Sequence, residues 1–234
     1  MGEQASKIGE KLEGFGENLF AGFGWNELAR DMEIQCSRKH QHNKKTHGLD
    51  LLMNFYNPYL GRKQGIVIEC KNRQMKSITQ VEIDKWLKEL ISAIECAQSA
   101  SELQYIDMGD SALNTGLLLI HANDSFDSNK FKKYLSNLEV PSRRNPINIF
   151  IAGNDEINMW NSLRNKIEKD FSKDFCFIYP SIEGSNMEKG NYITINQLYS
   201  KYIFAQETKM IDSYNDGIPC KLPIVRKIII ERIS

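Results

Sequence analysis

The sequence lacks a net charge, because its 234 residues hold 30 Lys and Arg against 30 Asp and Glu. A protein that grips nucleic acid through its bulk charge alone needs a clear excess of cations. The balance therefore argues against a strong nonspecific polyanion binder, while it is compatible with a local basic patch. The length of the chain fits one large domain or one domain with a small appendage, and with 41% hydrophobic residues the chain can bury a sizeable core.

Short metal-binding and disulfide motifs are also missing. The five cysteines are widely spaced and odd in number, and no two of them form a CxxC pair. The four histidines include no HExxH arrangement. This spacing argues against a zinc knuckle and a disulfide framework, and we expect neither His47 nor His121 to be a metal ligand.

Membrane and export signals are a third absence. No apolar run reaches the ~18 residues that a helix needs to span a bilayer. Glu and Gly interrupt the amino-terminal stretch, so the charged-then-apolar pattern of a secretory signal is missing. We therefore expect a cytoplasmic protein with no membrane partner.

Apolar segments of strand length alternate with amphipathic helical segments along most of the chain. This alternation predicts an α/β fold, in which helices cover a sheet. The predicted order is a helix at 6–21, strands at 26–36, 49–57 and 65–71, a helix at 77–100, then strand, helix, strand, helix and strand up to 180. For the tail we predict strands at 191–208 and 223–234 around a loop at 215–223.

Two neighbouring strands carry the charged residues that stand out most. Asp50 lies in the first strand, and "GIVIECK" ends the second with Glu69 and Lys71. If the strands pair, the two carboxylates converge at one end of the sheet, where both stay ionised only with a cation between them. Oxygen ligands of this kind suit Mg²⁺.

The alternation of side chains along a strand assigns roles within "ECK". Glu69 and Lys71 project from one face, whereas Cys70 points into the core on the other. The backbone carbonyl of Cys70 could then be a third metal ligand. Such a site fits phosphodiester hydrolysis, because a metal polarises the phosphate and activates water. Lys71 would hold that water or help to deprotonate it, and would neutralise developing charge.

The pattern of an Asp-bearing strand, a turn and a strand ending in Glu-x-Lys resembles the PD-(D/E)xK nuclease superfamily. It reads "GLD" at 48–50 and "IECK" at 68–71, with Leu49 in place of the motif's proline. The resemblance implies a restriction-endonuclease-like mixed central sheet flanked by helices, with extra carboxy-terminal strands. It implies a nuclease core over 1–125 and a sheet-completing, partner-binding extension over 126–234.

The flanking helices extend the resemblance. "GENLFAGFGW" is similar to the first helix of the Holliday-junction-resolvase-like and Mrr-like branches, which implies that Glu17 faces the metal site; Glu13 and Glu10 are the alternatives. Gln80 matches a helical glutamine that lies near the substrate or the attacking water in several branches. Thr79 and Gln80 fit a helix cap equally well.

A narrower resemblance is to the nuclease subunit of GAPS-type two-gene anti-phage systems, carried by the "GFGENLFAGFGWNELARDMEIQC" opening and by "HGLDLL" and "IECKNRQ". It implies a bacterial Mg²⁺-dependent DNA endonuclease, in which Mn²⁺ substitutes, with a second protein subunit or further copies of the chain as partners. Side chains near the site could contact DNA, namely Lys44, Lys45, Asn72 and Arg73.

Other interpretations remain open at this point. Glu69 and Lys71 could be a surface salt bridge worth under ~1 kcal/mol, and Asp50 could cap a turn after Gly48. The basic loop at 38–45 is compatible with a solvated loop as well as a DNA contact. The fold could also serve a catalytically silent binding module or an RNase, since no base-reading motif is present.

Overall fold

A five-stranded mixed sheet in the order β1-β2-β3-β4-β5 forms the first part of the protein. The computed structural model describes residues 14, 16–106, 113–139, 146–171, 175–180, 188–215 and 218–231. The first three strands pair antiparallel, and β3, β4 and β5 pair parallel. The strands are β1 (Asn26–Gln35), β2 (Thr46–Asn57), β3 (Arg62–Arg73), β4 (Thr115–Ala122) and β5 (Asn148–Ala152).

Besides the amino-terminal helix, five helices of the described part of the chain connect or cover the strands. They are α1 (Lys39–His42), α2 (Gln80–Ala97), α3 (Ser128–Ser136), α4 (Asn154–Asp170) and α5 (Ile195–Tyr199). The predicted amino-terminal helix is described from residue 16 to 21, with most of its earlier residues outside the described part. Among the described residues, none of the helices combines the length and the apolar character needed to cross a membrane.

The long helix α2 shows how the sequence sets a boundary and a face. The Thr79 hydroxyl accepts the N–H of Glu82, so it caps the helix start. The buried side of the helix carries the apolar stripe expected from a period of 3.6 residues, including Ile83, Leu87 and Leu90. The helix predicted from that stripe is confirmed.

Each face of the first sheet has its own core. On one face, α2 and α3 pack on residues such as Ile34, Leu52 and Val67. On the opposite face, α4 and the aromatic residues near the amino terminus pack on residues such as Leu51 and Ile68. The rings of Phe20, Trp25 and Phe55 stack in series there, with centroids 4.7 and 4.6 Å apart.

The later strands build a second, four-stranded sheet in the order β7-β6-β8-β9. Its apolar residues, such as Phe177 and Ile203, join the core around α4. The boundary predicted at residue 125 between the nuclease core and its extension falls between β4 and α3. The first sheet continues beyond this boundary, because β5 belongs to it. The strands are β6 (Phe175–Tyr179), β7 (Glu188–Gly190), β8 (Tyr202–Asn215) and β9 (Ile218–Glu231).

The tail differs from the prediction in two places. The strand predicted for 191–208 begins instead with α5, because Thr194 and Gln197 form a reciprocal capping box that starts a helix. The loop predicted for 215–223 is shorter, since β9 already begins at Ile218. Pro223 is tolerated in β9 because that strand lies at the edge of its sheet.

Candidate active site

The site lies where β2 and β3 stop pairing. Their ladder runs as far as Leu51 and Ile68, so the next pair in register is Asp50 and Glu69. There the backbone N–H of Cys70 donates to Oδ2 of Asp50 at 2.7 Å. The Asp50 carboxylate thus accepts the hydrogen bond that a backbone carbonyl of a neighbouring strand would otherwise accept. This bond holds the carboxylate beside Glu69.

The pleat of β3 sorts "IECK" onto two faces, as the sequence predicts. Ile68 and Cys70 belong to the core around α4, whereas Val67 belongs to the core beneath α2. Glu69 and Lys71 share the face of Val67 because successive side chains alternate. Cys70 is 8% exposed, so its thiol is a core group.

Glu69 and Lys71 form a charge-assisted hydrogen bond from Nζ to Oε1. Their side chains are 11% and 16% exposed. An ordinary surface salt bridge is well hydrated and contributes little, whereas taking two charges out of water is costly. This largely buried pair therefore does not fit the interpretation of Glu69 and Lys71 as a surface salt bridge. The free energy spent on burying two charges is typical of a functional site.

The surroundings of Asp50 and Glu69 disfavour the ionised form of both carboxyl groups. Burial raises the pKa of Glu69, and the nearby charge of Asp50 raises it further, while Lys71 opposes both effects. Burial also raises the pKa of Asp50, with the Cys70 N–H and Lys71 acting in the other direction. A cation between the two carboxylates would relieve this repulsion.

Lys71 is held in its charged form. Burial alone would lower its pKa, but the charge and hydrogen bond of Glu69, together with Asp50, outweigh burial and raise it. At neutral pH the side chain is therefore an ammonium with three donors. Of the two roles considered for Lys71, positioning water and neutralising charge fits this state better than abstracting a proton.

The donor set fits a hard divalent cation. The recorded contacts occupy Oδ2 of Asp50 and Oε1 of Glu69, one oxygen of each carboxylate. The second oxygen of each is the one that a cation would bind. Carboxylate oxygens with a backbone carbonyl beside them are the ligands that Mg²⁺ and Mn²⁺ prefer.

Two further acids near the site were missed by the sequence analysis. Asp31 lies opposite Asp50 on β1, between two recorded pairs of the β1–β2 ladder, and its charge acts on Asp50. Its φ of 47° is unusual for a residue other than glycine. Glu89 on α2 acts on both Glu69 and Lys71. No sequence pattern indicates the left-handed backbone of Asp31. The only sequence signal for Glu89 is its position on the polar side of α2.

The two helical residues suggested by family resemblance have other partners. Glu17 forms an ion pair with Arg30 on β1. The amide of Gln80 donates to the carbonyl of Asn137 at 3.0 Å, at the end of α3. The structure thus brings together Asp50, Glu69 and Lys71, while the roles suggested for Glu17 and Gln80 stay predictions.

The suggested DNA-contact residues lie on chain segments that adjoin the two site strands. Lys44 and Lys45 are exposed between α1 and β2, and Lys44 lies 3.3 Å from the Glu89 carboxylate. Asn72 and Arg73 follow Lys71 directly at the end of β3, and Arg73 is exposed. Asn72 is half-buried and contacts the ring of His121 at 3.3 Å.

Two of the five cysteines and two of the four histidines meet in space, among them His47, which we did not expect from the sequence to be a metal ligand. Cys36, His42, His47 and Cys96 converge, with one potential ligand atom of each within 4.8 Å of the others. The chain separates Cys36 from Cys96 by two strands and most of α2, so no short motif could reveal the cluster.

Replacing Asp50 with asparagine should stabilise the metal-free protein. A carboxyl whose pKa is raised by folding favours the folded state below that pKa, and this contribution is lost as pH rises through it. At neutral pH the ionised Asp50 therefore costs stability, and Asn can still accept the Cys70 N–H. We expect a gain of about 1 kcal/mol, or roughly 2–4 °C in thermal melts, for a chain of this size.

The measurement is a pair of thermal melts in metal-free buffer at pH 5 and pH 8. The difference in melting temperature between the variant and the wild type should be larger at pH 8 than at pH 5. A variant that melts below the wild type at both pH values would mean that Asp50 is a structural cap.

The sequence of the chain matches one known protein family. The family described as GAPS4 protein PD-(D/E)XK nuclease domain matches residues 1–156. Neither the search of curated proteins nor the search of solved structures found a match. The matched residues contain the whole five-stranded sheet and both motif strands.

Proposed function

The chain belongs to the GAPS4 PD-(D/E)XK nuclease domain family, and on that premise we propose that it is a metal-dependent DNA endonuclease. We infer that it hydrolyses phosphodiester bonds as the nuclease subunit of a cytoplasmic bacterial anti-phage complex. The observation that carries the proposal is the convergence of Asp50, Glu69 and Lys71 at the point where β2 and β3 separate.

Each residue has a role that follows from its contacts. Asp50 and Glu69, with the Cys70 carbonyl, would hold Mg²⁺ or Mn²⁺. When bound, the cation supplies Lewis-acid chemistry, polarising a phosphate oxygen and making water more acidic. Lys71, kept as an ammonium beside Glu69, holds the attacking water in line and neutralises charge that develops on the phosphorane.

The surrounding charges support this division of work. The Cys70 N–H fixes the orientation of Asp50, so the carboxylate needs no reorganisation when it binds the cation. Lys44, Lys45, Asn72 and Arg73 would contact the DNA backbone on either side of the scissile phosphate. Glu17, which contacts Arg30, would support the cation or a water bound to it, and Gln80, which contacts Asn137, would act near the attacking water.

A partner would supply part of the DNA grip. The chain has no net charge, so its bulk attraction for a polyanion is small. The edge strand β9 exposes Ile224, Val225 and Ile229. Apolar side chains on an open sheet edge call for a cover, and we propose a second subunit or another copy of the chain as that cover.

The test is a cleavage assay with the full chain, alone and with its partner, on linear and circular DNA and on RNA of the same sequence. We expect DNA cleavage with Mg²⁺ or Mn²⁺ and none after chelation. Cleavage confined to RNA would indicate an RNase of the same fold. Metal-independent binding without cleavage would indicate a silent binding module.

Removing basic side chains near the site should weaken DNA binding in a salt-dependent way. Each lost phosphate contact should reduce the slope of log affinity against log salt by about 0.9 for duplex DNA. We therefore expect a slope about 2 units shallower for Lys45→Ala combined with Arg73→Ala. Lys88→Ala is the matched control, because Lys88 is exposed on α2 and pairs with Asp84.

Fluorescence anisotropy over a series of salt concentrations measures this slope. An unchanged slope in the double variant, or an equal change in Lys88→Ala, would remove these residues from the DNA surface.

A further inference from the structure

The structure holds a second cluster of metal-ligating side chains outside the nuclease site. Cys36 lies just after β1, His42 ends α1, His47 opens β2 and Cys96 lies near the end of α2. Both cysteines and His47 are buried, at 2%, 0% and 4% exposure. The β1–β2 connection thus supplies one thiol and two imidazoles, and α2, about fifty residues further along the chain, directs a second thiol to the same place.

Four of the six separations between ligand atoms in the cluster match the edges of a tetrahedron, and the two between His47 and the sulfurs lie within 4.8 Å. The two sulfurs are 3.7 Å apart, the His42 Nδ1 and His47 Nε2 atoms are 3.3 Å apart, and Nδ1 of His42 lies 3.5 and 3.4 Å from the sulfurs of Cys36 and Cys96. Zinc bond lengths give tetrahedral edges of about 3.8 Å between sulfurs, about 3.3 Å between nitrogens and about 3.5 Å for mixed pairs. The sulfur–sulfur and nitrogen–nitrogen separations and the two mixed separations of His42 agree with these values.

Hydrogen bonding alone does not account for this packing. Nδ1 of His42 is within 3.5 Å of three partners at once, Cys36, His47 and Cys96. A ring nitrogen carries one hydrogen or one lone pair, so it satisfies one such partner well. A cation at the centre satisfies all four ligand atoms together.

The neighbours of the cluster suit a metal as well. The other ring nitrogen of His42 lies 3.0 Å from a carboxylate oxygen of Glu95, and Arg38 contacts the same oxygen at 3.2 Å. A carboxylate behind a ligating histidine fixes its tautomer and orientation. The Ser37 hydroxyl donates to the sulfur of Cys96 at 3.5 Å.

We propose that Cys36, His42, His47 and Cys96 bind a structural Zn²⁺ ion that fastens the β1–β2 connection to α2. The four protein ligands leave no open position, which is the arrangement of structural rather than catalytic zinc. The ion holds the start of β2, three residues before Asp50, and the basic segment between Cys36 and His47. This site is separate from the nuclease centre and does not depend on its activity.

The experiment measures metal in the full chain purified without added metal or chelator. Elemental mass spectrometry should find one zinc ion per chain. Cys36→Ser and Cys96→Ser should each lose at least tenfold in zinc content, and Glu95→Gln should weaken affinity by about 10- to 100-fold. Cys176→Ser and Asp50→Asn should keep the zinc, because neither residue belongs to the cluster.

Cobalt exchange into the wild-type chain keeps the test decisive where a variant does not fold. We expect the strong visible absorption of tetrahedral Co²⁺ together with the near-ultraviolet band of thiolate ligation. Zinc-free wild-type protein without these bands would overturn the proposal. Zinc retained when Cys36 and Cys96 are both replaced, or a disulfide between them in the native chain, would overturn it too.

Discussion

Replacing Lys71 with methionine is expected to reduce DNA cleavage about a hundred- to a thousandfold, the range seen when one preorganised electrostatic donor is removed. Methionine keeps much of the length and apolar character of the lysine stem, so the packing of the half-buried stem should persist. The ammonium that orients water and neutralises the phosphorane is lost. DNA binding should change little, since the side chain acts mainly on the transition state.

The measurement is the single-turnover cleavage rate at saturating enzyme, which separates chemistry from binding. Lys88→Met is the matched control, because Lys88 is 61% exposed and its ion pair with Asp84 lies on the outer surface of α2. It should cleave like the wild type. A Lys71→Met protein that folds normally and retains full cleavage would remove Lys71 from the mechanism.

Replacing Glu69 with glutamine is expected to abolish stabilisation by Mg²⁺ or Mn²⁺. A ligand that binds only the folded protein stabilises it by about 2.7 kcal/mol at a hundredfold excess over its dissociation constant. The wild-type chain should therefore melt several degrees higher with either ion. Glutamine keeps the size of Glu69 but removes the charge that makes the pair of carboxylates a cation site.

Thermal melts over a metal titration measure this effect, with Asp84→Asn as a control in which a carboxylate of α2 is removed instead. The control should respond to the ions as the wild type does. Equal stabilisation of the Glu69→Gln protein would place the ion elsewhere. The cysteine and histidine cluster is a distinct site, because soft thiolate ligands do not suit Mg²⁺.

The sequence was most informative where chemistry and periodicity coincide. "GIVIECK" predicted a buried strand, with Glu69 and Lys71 on one face and Cys70 in the core, and the structure confirms that placement. The family resemblance is confirmed by the match over residues 1–156. The roles assigned to individual site residues remain predictions that the variants above test.

One local hydrogen-bond motif and several contacts between separate parts of the chain were not predicted from the sequence. The capping box at Thr194 and Gln197 turned a predicted strand into α5, because a local hydrogen-bond pair outweighed strand propensity. The left-handed backbone of Asp31 and its position opposite Asp50 depend on the β1–β2 register. Cys96 meets Cys36 only because α2 packs back across the first sheet, so sequence spacing concealed a tetrahedral arrangement.

The most direct measurement is a crystal structure of the chain with Mn²⁺ and a short DNA duplex, using anomalous scattering to locate the ion. The account predicts a manganese peak between the carboxylates of Asp50 and Glu69, with a DNA phosphate beside it and Nζ of Lys71 within hydrogen-bonding distance of the phosphate or its water. A DNA phosphate bound away from these residues, with no manganese between the two carboxylates, would contradict it.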